Sequence, residues 1–411
     1  MKYYFFPFTK RVINIPEKFL EIQSIIVTKF HELIEIEKQK NQKRYKEDFN
    51  QFIAGQKKVY CPTSLSIVVT NSCNLNCTYC YSKIERKNDM ISIDKAKTAI
   101  NFLIENAKLK SQKEIEVEFI GGGEPTLGFE TIREIINYAK EKSIPESITS
   151  NFYLITNGYF NPELRDEIFN LFKSIQFSID GFQSQQIIQR INGAKINDPL
   201  LVYKNIQNFT NRNASKVKIN TVVTNSNLNI LVDLCEYYHK ELGCTNIRFE
   251  LMKDTSISKT VKYNYQSILE NFKKVLKYAK TNNIQIKVSG PDIDKTGFVY
   301  CGTHSGEPMF LTPDGIIKAC IEPVYNKTQS DLLIGEIKDK VSVDTKKVEF
   351  LTKRNVFTVN DCKVCEIRFN CKGQCSKYYY ERNGNYTSIN DPEKCDYNRQ
   401  ILKEMIVNKL E

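Results

Sequence analysis

The sequence predicts an α/β protein: a parallel sheet covered by helices, followed by a loop-rich region dense in cysteine. Three observations carry this. Strand-like runs at residues 65–70, 115–120, 153–156, 175–179, 217–223 and 247–251 alternate with helical patterns at 95–106, 131–141, 162–172, 200–209, 228–242 and 263–281. Six β-α units in series call for parallel strands, because each crossover carries a helix back over the sheet. After residue 289 this alternation stops, and seven cysteines fall within residues 301–395.

The N-terminal 60 residues precede the first unit. A short aromatic strand is expected from Tyr3 to Phe8, then a helix over 16–36 with Phe19, Ile22, Ile26, Phe30 and Leu33 at helical spacing. The charged run 38–46 reads as a solvated helix or a linker. The tail from Asp396 reads as an amphipathic helix. The expected divisions are 1–60, 61–289, 290–396 and 397–411.

Composition sets further bounds. With 411 residues, 41% hydrophobic and 26% charged, the chain is an ordinary folded protein of more than one core. No apolar run approaches the ~20 residues that span a bilayer, and the start lacks a signal-peptide pattern. Cytoplasm and no membrane are the expectations. The net charge of +11 suits an acidic partner, or a lysine-rich chain with solvated helix faces. No arginine patch interleaves with aromatics, which disfavours nucleic acid. Thirteen clustered cysteines in a reducing compartment point to metal before disulfides.

Cys73, Cys77 and Cys80 follow the first strand, where a βα loop carries a site. Three thiolates on one loop suit three irons of a cubane cluster and leave the fourth open. A structural zinc site would use four ligands, usually in separated pairs. The C-x-x-x-C-x-Φ-C spacing resembles the radical S-adenosylmethionine (SAM) superfamily. That resemblance implies a partial (β/α)6 TIM-like barrel, and SAM bound at the open iron and cleaved to a 5′-deoxyadenosyl radical. An electron donor such as flavodoxin or ferredoxin is implied as well. It also implies roles along the chain. Tyr79 lies against the adenine. Gly122, Gly123 and Glu124 receive the methionine ammonium. Asn157 ends strand three, and Ser178 with Asp180 faces the ribose and carboxylate. Arg190 pairs with that carboxylate, although Ser184-Gln185-Gln186-Ile187 stands where relatives often carry a histidine-acid pair.

The later set, Cys301, Cys320, Cys362, Cys365, Cys371, Cys375 and Cys395, resembles the SPASM auxiliary-cluster module. The likeness implies three 4Fe–4S clusters in all. Cys362, Cys365, Cys371 and Cys395 would close an outer cluster. Cys301, Cys320 and Cys375 would hold an inner one, with an open or non-cysteine fourth position. His304 lies near that position but is expected on the surface. Cys235 and Cys244 read as small buried hydrophobes.

Enzymes with these modules mostly modify peptides. The implied activity is radical maturation of a ribosomally made peptide with an acidic leader, most often a thioether or carbon–carbon crosslink. The partners would be the precursor peptide, docked on residues 1–60 or on a separate leader-recognition protein. A sulfatase-maturating, formylglycine-generating enzyme is the alternative, with Glu250 and Asp254 as candidate acid-base groups. A zinc-stabilised binding module without catalysis is a reading from another class.

Overall fold

The structure, a computed structural model, describes residues 2–15, 25–56, 60–252, 263–322 and 331–410. A hairpin of β1 (Lys2–Phe6) and β2 (Arg11–Ile15) leads to a long helix, α1 (Ile25–Gln56). Then β3 (Ser64–Val68), α2 (Ile93–Leu109), β4 (Glu114–Ile120), α3 (Phe129–Ser143), β5 (Thr149–Thr156), α4 (Arg165–Leu171) and β6 (Ser174–Ser178) alternate. A short α5 (Gln183–Gln186) runs into a π-turn, Ile187–Ile191. α6 (Leu201–Asn213), β7 (Val217–Val223), α7 (Leu231–Lys240), β8 (Asn246–Leu251), α8 (Tyr265–Thr281) and β9 (Gln285–Val288) follow.

β3 to β9 pair in parallel and in sequence order. All six expected strands are present, and β9 is a seventh. The sequence reading missed it because four residues with only one fully buried side chain leave almost no pattern. The sheet continues past β3 through β10 (Phe310–Leu311), β11 (Ile316–Lys318), β12 (Leu333–Ile337) and β13 (Val341–Val343). β10 runs parallel to β3 and the last three join antiparallel. Thus the cysteine-rich region is hydrogen-bonded into the barrel sheet. α9 (Thr345–Thr352), α10 (Arg368–Cys371), α11 (Ser376–Asn383) and α12 (Pro392–Leu410) complete the chain.

Strand alternation sorts the two faces. On β7, Val217, Ile219, Thr221 and Val223 are buried while Lys218, Asn220 and Val222 are half-buried. The same period puts Leu65, Ile67, Val117, Phe119, Leu154, Ile175, Phe177, Ile247 and Phe249 under the helices. Each such burial contributes about 1.5–3 kcal/mol. α8 answers with Ile268, Leu269, Phe272, Val275, Leu276 and Ala279, and Asn264 caps it by accepting from Ser267 N at 3.1 Å. The other face mixes Ser66, Glu118, Gln176, Lys218, Asn220, Arg248 and Glu250 with the apolar Ile120, Ile155 and Val222. Burial raises the Glu118 carboxyl, and Lys218 across the interior opposes that.

A second core lies apart, built from Phe8, Phe298, Val356, Val359, Cys362, Tyr379 and Ile389. Against it pack Tyr45, Phe49 and Phe52 of α1, one aromatic per helical turn. Phe8 meets Phe369 at 4.9 Å and Phe52 stacks on Phe298 at 4.9 Å between centroids. The charged run 38–46 is therefore helix, and its end is a docked stripe rather than a linker. Most of the apolar residues expected to define the first helix lie outside the described side chains. Phe298→Ala should destabilise the chain by about 3–5 kcal/mol in a denaturant titration, because it empties the centre of this cluster. An unchanged midpoint would show that α1 docks without it.

Candidate active site

Beyond the carboxyl ends of the parallel strands lies a cavity of about 350 Å³. The loop after β3 forms one wall. Its position is fixed twice over. Asn76 N donates to Arg190 O at 3.1 Å and Thr78 N to Gln189 O at 2.8 Å, so the loop hangs on the π-turn. Asn76 and Asn192 exchange amide bonds at 3.2 and 3.1 Å. Cys73, Cys77 and Cys80 all line the cavity.

Burial raises the Cys73 thiol and pushes Cys77 up to about 12; Arg86 pulls Cys73 back down and Arg190 does so for Cys77. Arg86 Nη2 approaches Cys80 Sγ at 3.8 Å, and Leu75 N and Asn157 Nδ2 approach Cys73 Sγ at 3.5 and 3.9 Å. These donors suit thiolates that carry charge once metal is bound. Among the described residues, no three His, Cys, Asp or Glu side chains converge as one metal ion requires. Three thiols on one wall of the cavity fit a cluster, in which each iron takes its own thiolate.

The glycine turn after β4 forms the second wall. Gly123 N donates to Thr70 O at 2.9 Å and Glu124 N to Ser72 O at 2.8 Å. A Cβ on Gly123 would run into the Ser72 carbonyl, and one on Gly122 into the Asn71 amide, so only glycine lets the turn lie this close. Glu124 is buried. Its Oε1 accepts from Thr126 N at 3.1 Å and from the Thr126 and Thr156 hydroxyls at 2.7 Å each; its Oε2 accepts from Asn157 N at 2.7 Å. Burial raises this carboxyl, and the four donors resist the rise. The side chain clamps the ends of β4 and β5, while the backbone of Gly121, Gly122 and Gly123 also lines the cavity.

The third wall holds Tyr79, Ser178 and Arg190. Asp180 stands behind them, with no exposure at all. Its carboxylate accepts from Arg190 Nη2 at 3.0 Å, from Val222 N at 3.0 Å and from the Tyr79 hydroxyl. Asp180 thus differs from expectation: three protein donors consume it, and it does not face the cavity. Arg190 keeps a buried Nε with no protein partner, a donor left for a ligand oxygen. Its guanidinium also sits 5.6 Å from the Tyr79 ring centroid. Gln186, in the segment that lacks the histidine-acid pair, accepts from Asp180 N at 3.1 Å.

Glu250 lines the cavity from β8 and pairs with Arg248. Asp254 lies outside the described residues. Asn157 lines it too, donating to Asn74 Oδ1 at 2.7 Å. Sequence reasoning missed Asn74, Arg86 and Glu322, which all touch the site or its partners. Asn74 lies inside the cysteine spacing and could have been weighed from it. Arg86 and Glu322 carry no such signal.

The C-terminal cysteines form two groups. Burial pushes Cys362 and Cys371 up to about 12 and Cys395 up to about 11; these three and Cys365 act on one another. Burial pushes Cys320 up to about 12, with Glu322, Cys375 and Cys301 adding to it. Lys318, just before Cys320, is 3.5 Å from Glu85, just after Cys80, so this second group borders the cavity wall. His304 differs from expectation: it is 1% exposed. Burial and the nearby Arg354 charge pull it down to about 4. Cys235 and Cys244 are wholly buried in the main core.

A family model described as the radical SAM superfamily matches residues 67–237. An uncharacterised protein of Methanocaldococcus jannaschii, MJ0907, is 30% identical over 290 residues, covering 69% of this chain and 92% of that protein. The radical SAM cyclopropyl synthase TigE of Paramaledivibacter caminithermalis is 22% identical over 372 residues, 84% of this chain and 74% of TigE. Among solved structures, anSMEcpe with bound AdoMet superposes with a TM-score of 0.65 at 18% identity, covering 85% of this chain and 97% of that one. SuiB of Streptococcus suis, bound to precursor peptide SuiA, gives 0.59 at 16% identity, with 87% and 81% covered. On this evidence the chain belongs to the radical SAM superfamily, a family of enzymes whose fold implies a 4Fe–4S cluster and SAM.

Proposed function

We propose that this enzyme is a peptide maturase that abstracts hydrogen from a ribosomally made peptide and joins two of its positions by a thioether or carbon–carbon bond. The observation that carries the reading is one cavity that gathers the three-cysteine loop, the glycine turn, Arg190, Glu250 and Glu322 of the cysteine-rich region. When bound, the cluster and SAM supply a 5′-deoxyadenosyl radical on reduction. The residues of the chain do the positioning. Cys73, Cys77 and Cys80 hold three cluster corners. Gly122 and Gly123, braced by Glu124 and Asn157, receive the methionine ammonium. Ser178 and the free Arg190 Nε take oxygen atoms of the same ligand, and Tyr79 covers its adenine. Asp180 acts through Tyr79 and Arg190 by fixing both.

The same reading gives residues 61–289 to the barrel and 290–396 to a SPASM module with two further clusters. Cys362, Cys365, Cys371 and Cys395 serve one, and Cys301, Cys320 and Cys375 the other. Grouped thiols in these two sets support it. Residues 1–60, or a separate recognition protein, dock the leader, and a flavodoxin or ferredoxin supplies electrons. No described helix is long and apolar enough to cross a membrane; a cytoplasmic site is part of the proposal. Support for a peptide comes from SuiB and anSMEcpe having been solved with the SuiA and Cp18Cys peptides. Glu250 on the cavity wall favours a second reading, formylglycine generation, which needs a base there.

Anaerobic incubation with SAM, a reductant and a short candidate precursor peptide, sought among the reading frames beside this gene, tests the proposal. Formation of 5′-deoxyadenosine with a peptide lighter by about two mass units, whose fragmentation shows two residues joined and no aldehyde, is the expected result. A peptide of unchanged mass, with 5′-deoxyadenosine formed, would rule out crosslinking. Conversion of a serine or cysteine to formylglycine would favour the second reading.

A further inference from the structure

The Cys301, Cys320 and Cys375 group has three thiols, one short of the four that close a cubane. His304 cannot complete it. Its Nδ1 is 2.6 Å from Leu351 O and its Nε2 is 2.6 Å from the Ser376 hydroxyl, so both ring nitrogens are engaged. Another group is in place. Glu322 lies two residues after Cys320, and its backbone N–H points to the Cys320 sulfur. Its side chain is 9% exposed and pairs at 3.5 Å with Lys377, which is 2% exposed. Lys377 in turn lies two residues after Cys375. The carboxylate therefore bridges the Cys320 segment to the Cys375 segment. Glu322 also lines the cavity that holds Cys73, Cys77 and Cys80.

Resting on the reading that this group holds an iron–sulfur cluster, we infer that the Glu322 carboxylate is its fourth ligand, with Lys377 as the counter-ion that aims it. The step is the formation of one iron–oxygen bond, with no electron transferred. A carboxylate is a harder donor than thiolate and a poorer match to cluster iron. The position held by Glu322 would consequently be the exchangeable one, and Glu322 lines the cavity.

The test uses the full chain reconstituted anaerobically with iron and sulfide. One sample carries carbon-13 in its glutamate carboxyl groups. Electron–nuclear double resonance on the reduced clusters should show a carbon-13 coupling that is absent in Glu322→Gln. Iron content should stay at about twelve per chain in both. Glu322→Cys should keep that content and also lose the coupling, now with thiolate at every position of this cluster. No coupling in a labelled chain that holds about twelve irons would overturn the inference while leaving the cluster reading intact. About four irons per chain would overturn both, since the C-terminal cysteines would then hold no cluster. The labelled native chain gives its answer even if a variant fails to fold.

Discussion

Replacing Cys73, Cys77 and Cys80 together by alanine should abolish 5′-deoxyadenosine formation and remove about four irons per chain, leaving whatever iron the proposed C-terminal clusters hold. The effect is expected to be complete because the three thiols share one wall of one cavity and no other described cysteine lines it. The loop itself should persist. Its hold on the π-turn runs through the backbone of Asn76 and Thr78 and the Asn76–Asn192 amide pair, none of which uses sulfur. Circular dichroism of the variant should therefore match that of the native chain. Undiminished SAM cleavage in the triple variant would remove the cavity from the chemistry altogether. The measurement is product chromatography beside iron analysis.

Asp180→Asn should be the most damaging single substitution near the site that touches no cysteine. The carboxylate and Arg190 are both buried, at 0% and 7% side-chain exposure. Removing one partner of such a pair leaves a charge without compensation, at a cost of about 3–5 kcal/mol. The amide oxygen can still accept from Arg190 Nη2 and Val222 N, which share Oδ1, but its NH2 replaces the oxygen to which the Tyr79 hydroxyl donates, so that hydroxyl must turn. Two readouts should move together. Denaturant stability of the cluster-free chain should fall, and SAM affinity should weaken because Arg190 and Tyr79 lose their common anchor. The double variant with Arg190→Gln should recover part of the stability, since no buried charge then remains, but none of the affinity. Equal losses in the single and double variants would mean the ion pair is not the cause.

The docking of α1 changes how an N-terminal truncation should be read. Deleting residues 1–50 removes Phe8, Tyr45 and Phe49 from the second core along with any leader-docking surface. Weak peptide binding in such a truncation would not by itself locate the leader site. Substitutions on the exposed side of α1 are the cleaner choice.

Much of this is legible in the residue order alone. Strands such as 115–120 and 217–223 announce themselves because one face must be apolar to meet helices and the other need not be. The cysteine spacing and the Gly122-Gly123-Glu124 turn are local, so their meaning survives in one dimension. β9 was missed because it is short, and the docking of α1 because its aromatic stripe at Tyr45, Phe49 and Phe52 begins inside a run dominated by charge.

The sequence by itself determined the alternating architecture, the three-thiol loop and the family, since each depends on residues near one another along the chain. Tertiary structure alone decided which groups are spent on the protein. Asp180 lies behind Tyr79 and Arg190, Glu124 clamps two strand ends, and both nitrogens of His304 are engaged. It alone also paired Glu322, on the cavity wall, with Lys377, far from it in the chain. The reason is physical: a hydrogen bond or ion pair within a buried site depends on distance and desolvation, and neither is written in residue order.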